Sequence, residues 1–114
     1  MQLIIQRHPP YSGQAASESL DIALGFAVMD QECALLFVDD GVWQLLHQQA
    51  PSVQKNLAKH FAALPMYGIE QCYCERESLA ARGIAEDSLI DGITLLDRPE
   101  INALIAKARG VFAL

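Results

Sequence analysis

Two thiols separated by one residue, Cys72 and Cys74, lie in Gln71-Cys72-Tyr73-Cys74-Glu75-Arg76, the most reactive-looking segment of this 114-residue chain. Residues two apart on a strand share a face, so both thiols are expected on one side and Tyr73 on the other. A thiol at the carboxyl end of a strand, facing the next helix and near Arg76, would have its thiolate stabilised. That chemistry suits persulfide or disulfide exchange. Glu75 and Glu77 oppose it by adding negative charge, and buried cysteines commonly act as small hydrophobes. Packing is the better reading for Cys72 and for Cys33, which starts an apolar run; Cys74 fits either role.

Other candidate groups are weaker. Asp39-Asp40 resembles a hard-cation site, since paired carboxylates can hold Mg²⁺ with several waters. An aspartyl-phosphate receiver would need a further Asp and a Lys at later strand ends, and here the third strand ends in Cys and Glu. A solvated turn closed by Gly41 fits better. His8, His47 and His60 stand on separate elements with no Cys or carboxylate at fixed spacing, whereas zinc needs about four converging ligands. No glycine-rich phosphate fingerprint follows any strand, which argues against a dinucleotide site. No metal and no cofactor are expected.

Composition narrows the classes further. With 52% hydrophobic residues the chain can build a core, and at 114 residues it is expected to form one domain spanning 1–114. A net charge of −6 makes it a poor ligand for nucleic acid, which calls for clustered Lys and Arg. Three cysteines are an odd number, and Cys72 and Cys74 are too close for an ordinary bridge, so free thiols in a reducing cytoplasm are expected. No secretory pattern opens the chain, and no apolar run reaches the ~18–20 residues of a membrane span.

The elements that must position these residues alternate along the chain. Residues 1–6 read as a strand stopped by Pro9 and Pro10. Residues 15–30 have helical spacing, with Ala16, Leu20, Ala23, Leu24, Ala27 and Val28 on one face. A second apolar strip of Ile22, Phe26 and Met29 implies either a helix packed on both sides or contact with another chain. Residues 33–38 form a continuous apolar strand, as in a parallel sheet covered on both faces. A short turn or helix over 42–47 carries Trp43, an aromatic anchor suited to an interface or to covering the sheet edge. Ser52 can cap a helix with Val53, Leu57, Phe61 and Leu64 on one side, ended by Pro65. Residues 69–74 are a third strand, followed by a short helix over 77–81 closed by Arg82-Gly83.

A fourth strand is expected over 90–96, interrupted by Gly92. Asp97-Arg98-Pro99-Glu100 has the pattern of a capping box for a helix with Ile101, Leu104, Ile105 and Ala108 inward. Gly110 ends that helix and residues 111–114 form a fifth strand. The sum is an α/β domain with a mostly parallel five-stranded sheet and helices on both faces.

Three strings carry a family resemblance: Asp40-Gly41-Val42-Trp43-Gln44-Leu45-Leu46, Tyr67-Gly68-Ile69-Glu70-Gln71-Cys72, and Ser78-Leu79 with Arg82-Gly83-Ile84. In order and spacing they resemble the TusC/DsrF branch of the DsrE-like sulfur-relay proteins over nearly the whole chain. The resemblance implies a DsrE-like, Rossmann-like fold and a subunit of a cytoplasmic heterohexamer with TusB/DsrH-like and TusD/DsrE-like sister chains. In the TusBCD form, persulfide sulfur passes from a TusA-like carrier towards a TusE-like one and ends in 2-thiolation of the tRNA wobble uridine. In the DsrEFH form it serves dissimilatory sulfur oxidation.

The relay cysteine of such complexes belongs chiefly to the TusD/DsrE-like chain, about eight residues before an Arg-Gly turn. Counting back from Gly83 reaches Glu75, with Cys74 one residue away. A carboxylate cannot carry a persulfide, so the resemblance implies a mainly structural subunit. Interface residues are expected at Ile22, Phe26, Met29 and Trp43. A stand-alone sulfurtransferase using Cys74, assisted by Arg76, is the alternative.

Overall fold

The computed structural model describes residues 1–7, 22, 25–26, 29, 31–45, 71–90 and 92–113. The three histidines, the helix expected from Ser52, and most of the helix expected over 15–30 lie outside the described residues.

Five strands form one sheet: β1 (Gln2–Gln6), β2 (Cys33–Phe37), β3 (Gln71–Glu75), β4 (Ile93–Leu96) and β5 (Gly110–Ala113). Their spatial order is β4-β3-β2-β1-β5, and every neighbouring pair is parallel. Central β2 is buried at all five positions, which is why its sequence is continuously apolar rather than alternating.

The order of strands explains which face each helix covers. From β1 to β4 the chain steps across the sheet in one direction, for which right-handed crossovers call for one side, and the described parts of those connections lie there. Ile22 and Phe26, both helical, and helix α1 (Arg76–Ala81) through Leu79 pack there on Ile4, Cys33, Leu35, Phe37, Cys72 and Cys74. The return from β4 to β5 runs the other way, so helix α2 (Arg98–Lys107) falls on the opposite face. Its Ile101 and Leu104 cover Leu3, Ala34 and Leu36. The expected α/β architecture with helices on both faces is therefore the one observed.

Element limits differ from the sequence expectation in instructive ways. The fourth strand starts at Ile93 rather than 90, because Gly92 has a φ of 87°, outside the strand region. The fifth starts at Gly110, where the Cβ of any other residue would meet the Gln2 side chain at 2.4 Å. Helix α2 has the expected capping box, with the Asp97 amide donating to Glu100 Oε1 at 2.9 Å. Ile105, expected inward, is 38% exposed, because the stripe that meets the sheet narrows to Ile101 and Leu104.

Candidate functional site

In an open parallel sheet the working edge is the carboxyl end of the strands. Two described segments meet there: the 3-10 segment Asp39–Leu45 after β2, and the junction of β3 with α1. Gly41 makes the first possible. A Cβ at that position would lie 2.2 Å from the Gln6 carbonyl oxygen, so the segment packs directly on the end of β1. Val42 and Leu45 are fully buried beneath it, and Trp43 is half-buried.

The junction of β3 and α1 is polar and closely bonded. Glu75, the last residue of β3, is buried. It accepts a short hydrogen bond from the Ser78 hydroxyl, while Arg98 Nη2 lies 3.7 Å from its other oxygen. The Ser78 oxygen in turn accepts from the Asp39 amide at 2.9 Å. Arg82 donates from Nε to Asp40 at 3.0 Å and from Nη1 to the Ser78 carbonyl at 3.3 Å. Arg76 lies 3.5 Å from both Glu86 and Asp97. The arginines of this edge are thus committed to carboxylates.

Cys72 and Cys74 share a face, as alternation requires, but that face is the core. Cys74 is fully buried, and its Sγ has a weak contact with the Glu75 carbonyl at 3.8 Å. Burial, then the charges of Glu75 and Glu86, push its pKa up to about 12. Burial alone pushes Cys72 up to about 11, and burial with the neighbouring Cys72 does the same to Cys33. The stabilising effect expected of Arg76 on a thiolate does not arise, since its guanidinium faces Glu86 and Asp97. In this arrangement all three are protonated thiols at neutral pH.

Asp39 and Asp40 are exposed, and no cluster of three or more His, Cys, Asp or Glu suited to a metal occurs among the described residues. Of the apolar strip on the first helix, Ile22 and Phe26 pack against the protein's own core, and the Phe26 ring lies 5.7 Å from that of Phe112. Met29 turns outward, 66% exposed. Ser78 and Arg98, the partners of Glu75, are not evident from the sequence. Only the i, i+3 spacing of Glu75 and Ser78 hinted at the first, and nothing local signals the second.

The DsrE/DsrF-like family model matches residues 2–114. The chain belongs to the DsrE/DsrF-like family. Within it, the chain is 40% identical to the Protein TusC homolog of Pseudomonas aeruginosa, across 98% of this chain and 96% of that protein. It is 35% identical to the intracellular sulfur oxidation protein DsrF of Allochromatium vinosum, across 78% of this chain and 67% of the relative. The TusC/DsrF branch expected from the three sequence strings is thereby the one found. The crystal structure of the ychN protein from E. coli superimposes with a TM-score of 0.87, covering 99% of this chain and 97% of that one at 21% identity. That likeness shows that this DsrE/DsrF-like chain has the same fold. No helix among the described residues is long and apolar enough to cross a membrane.

Proposed function

We propose that this chain is a subunit of a cytoplasmic sulfur-relay complex, the structural partner of sister chains that hold the relay cysteine. The observation that carries this reading is the end of β3. The last residue of β3 is Glu75, whose buried carboxylate is paired with Ser78 and Arg98, and the adjacent thiol of Cys74 is fully buried with its pKa pushed up to about 12. Persulfide transfer requires a thiolate that a carrier can reach. This chain offers neither charge nor access at that place.

Its partners are TusB/DsrH-like and TusD/DsrE-like chains in a heterohexamer, with TusA-like and TusE-like carriers engaging the complex through the sister chains. Met29, Val111 and Phe112 supply exposed apolar surface for such contacts, and Trp43 stands half-buried at the carboxyl edge. The pathway is 2-thiolation of the tRNA wobble uridine, favoured by higher identity and fuller coverage with the TusC homolog than with DsrF. A place in sulfur oxidation is the second reading, supported by the DsrF likeness. With a net charge of −6 this chain does not itself grip tRNA.

Intact-mass measurement of the chain after incubation with a persulfide donor tests the structural role. No added sulfur is expected on the folded protein. An adduct that disappears in Cys74→Ser would establish the stand-alone transferase instead.

A further inference from the structure

Asp39 is the one non-glycine residue with positive φ among the described residues, at 51°. Asp is tolerated in this left-handed region better than most residues, but the conformation still carries strain and persists only where its surroundings enforce it. The turn is closed locally by the Gly41 amide, which donates to the Val38 carbonyl at 2.9 Å, and its Asp39–Asp40 corner is tied in addition to α1 and the turn after it. The Asp39 amide donates to Ser78 Oγ, whose hydroxyl is oriented by the buried Glu75 carboxylate. One residue on, Arg82 holds the Asp40 carboxylate and the Ser78 carbonyl together.

On either side the chain is fixed independently. The Val38 amide is bonded to the Gln6 carbonyl at 3.0 Å, Gly41 is pressed on the same residue, and Val42 is fully buried. Freedom to rearrange is therefore confined to the corner at Asp39–Asp40. The latch itself is reached from solvent, since the Asp40 side chain is 55% exposed and that of Arg82 is 24% exposed.

We propose that the Asp39–Asp40 corner is a strained latch, in which Ser78 and Arg82 hold the corner against α1 and loss of either contact frees it, while the Gly41–Val38 hydrogen bond keeps the turn itself. The latch makes the 3-10 segment after β2 and helix α1 after β3 respond as one unit at the carboxyl edge. It rests on the fold alone and stands whether or not the sulfur-relay reading does.

Amide hydrogen exchange on the full chain tests it, comparing wild type with Arg82→Gln, Asp39→Gly and the double variant. Arg82 makes no contact with the Asp39 amide in the structure. A coupled latch nevertheless requires Arg82→Gln to speed exchange of that amide by roughly two- to tenfold, the factor a hydrogen bond of this class is worth. Exchange at Leu35 and Leu36, in the centre of the sheet, stays at the wild-type rate, which separates local opening from global destabilisation. With glycine at position 39 the turn carries no strain, so in the double variant the acceleration is lost. Unchanged exchange at Asp39 in Arg82→Gln overturns the proposal. So does an acceleration that persists in the glycine background.

Discussion

At the scale of single residues, burial outweighs sequence position in deciding what the cysteines can do. Cys74 sits where a reactive thiol was a fair expectation, at a strand end beside an arginine. Removing it from water and placing Glu75 and Glu86 nearby raises its pKa instead. Maleimide labelling of the native chain at pH 7.5 is expected to leave Cys72 and Cys74 unmodified, and full labelling is expected in denaturant. Rapid native labelling at Cys74 would contradict the arrangement described.

The same shifts make stability sensitive to alkaline pH. The folded state holds its thiol protons to pH values near 11 to 12, whereas exposed thiols release them near 9.0. The contribution of these thiols is therefore fully present below about pH 9 and is lost as pH rises towards the folded values. Thermal melts from pH 7 to 11 are expected to show a flat region followed by this decline, shallower in Cys74→Ala. Gly41 is governed by space rather than by backbone angle. Gly41→Ala places a methyl group against the Gln6 carbonyl and is expected to cost about 2–3 kcal/mol or prevent folding, measured by urea denaturation.

At the scale of elements, local chemistry was readable wherever it was self-contained. The capping box of α2 follows from Asp97, Pro99 and Glu100 alone, and the structure has it. Asp97→Ala is expected to lower stability by about 1 kcal/mol. Calorimetry would register that as a fall of roughly 4 °C in Tm. Limits set by neighbours were not readable in the same way. That Gly92 stops β4 depends on a positive φ adopted in context, and that Ile105 stays outside depends on how narrowly α2 meets the sheet. The site around Glu75 shows the same division. Its place at the end of β3 is legible to within one residue, since the expected strand over 69–74 stops just before it and the observed strand ends on it. Its partners Ser78 and Arg98 and the commitment of Arg76 to Glu86 and Asp97 arise from tertiary packing, for which short sequence windows carry no signal.

At the scale of the whole molecule, fold class and family were both legible, because continuous apolar strands, alternating helices and three family strings point the same way. Strand order was not, since right-handed crossovers leave more than one arrangement open. The observed order makes β5 an edge strand with Val111 and Phe112 exposed, and Met29 is exposed as well. An exposed apolar edge of this kind is a liability for a solitary protein and an asset for a subunit.

Native mass spectrometry of this chain co-expressed with TusB/DsrH-like and TusD/DsrE-like chains, after treatment with a persulfide donor, tests the proposed role most directly. One defined hetero-oligomer containing this chain is expected, with the added sulfur on a co-expressed chain and none on this one. A chain that stays apart from its sisters, or that itself takes up sulfur lost again in Cys74→Ser, would contradict it.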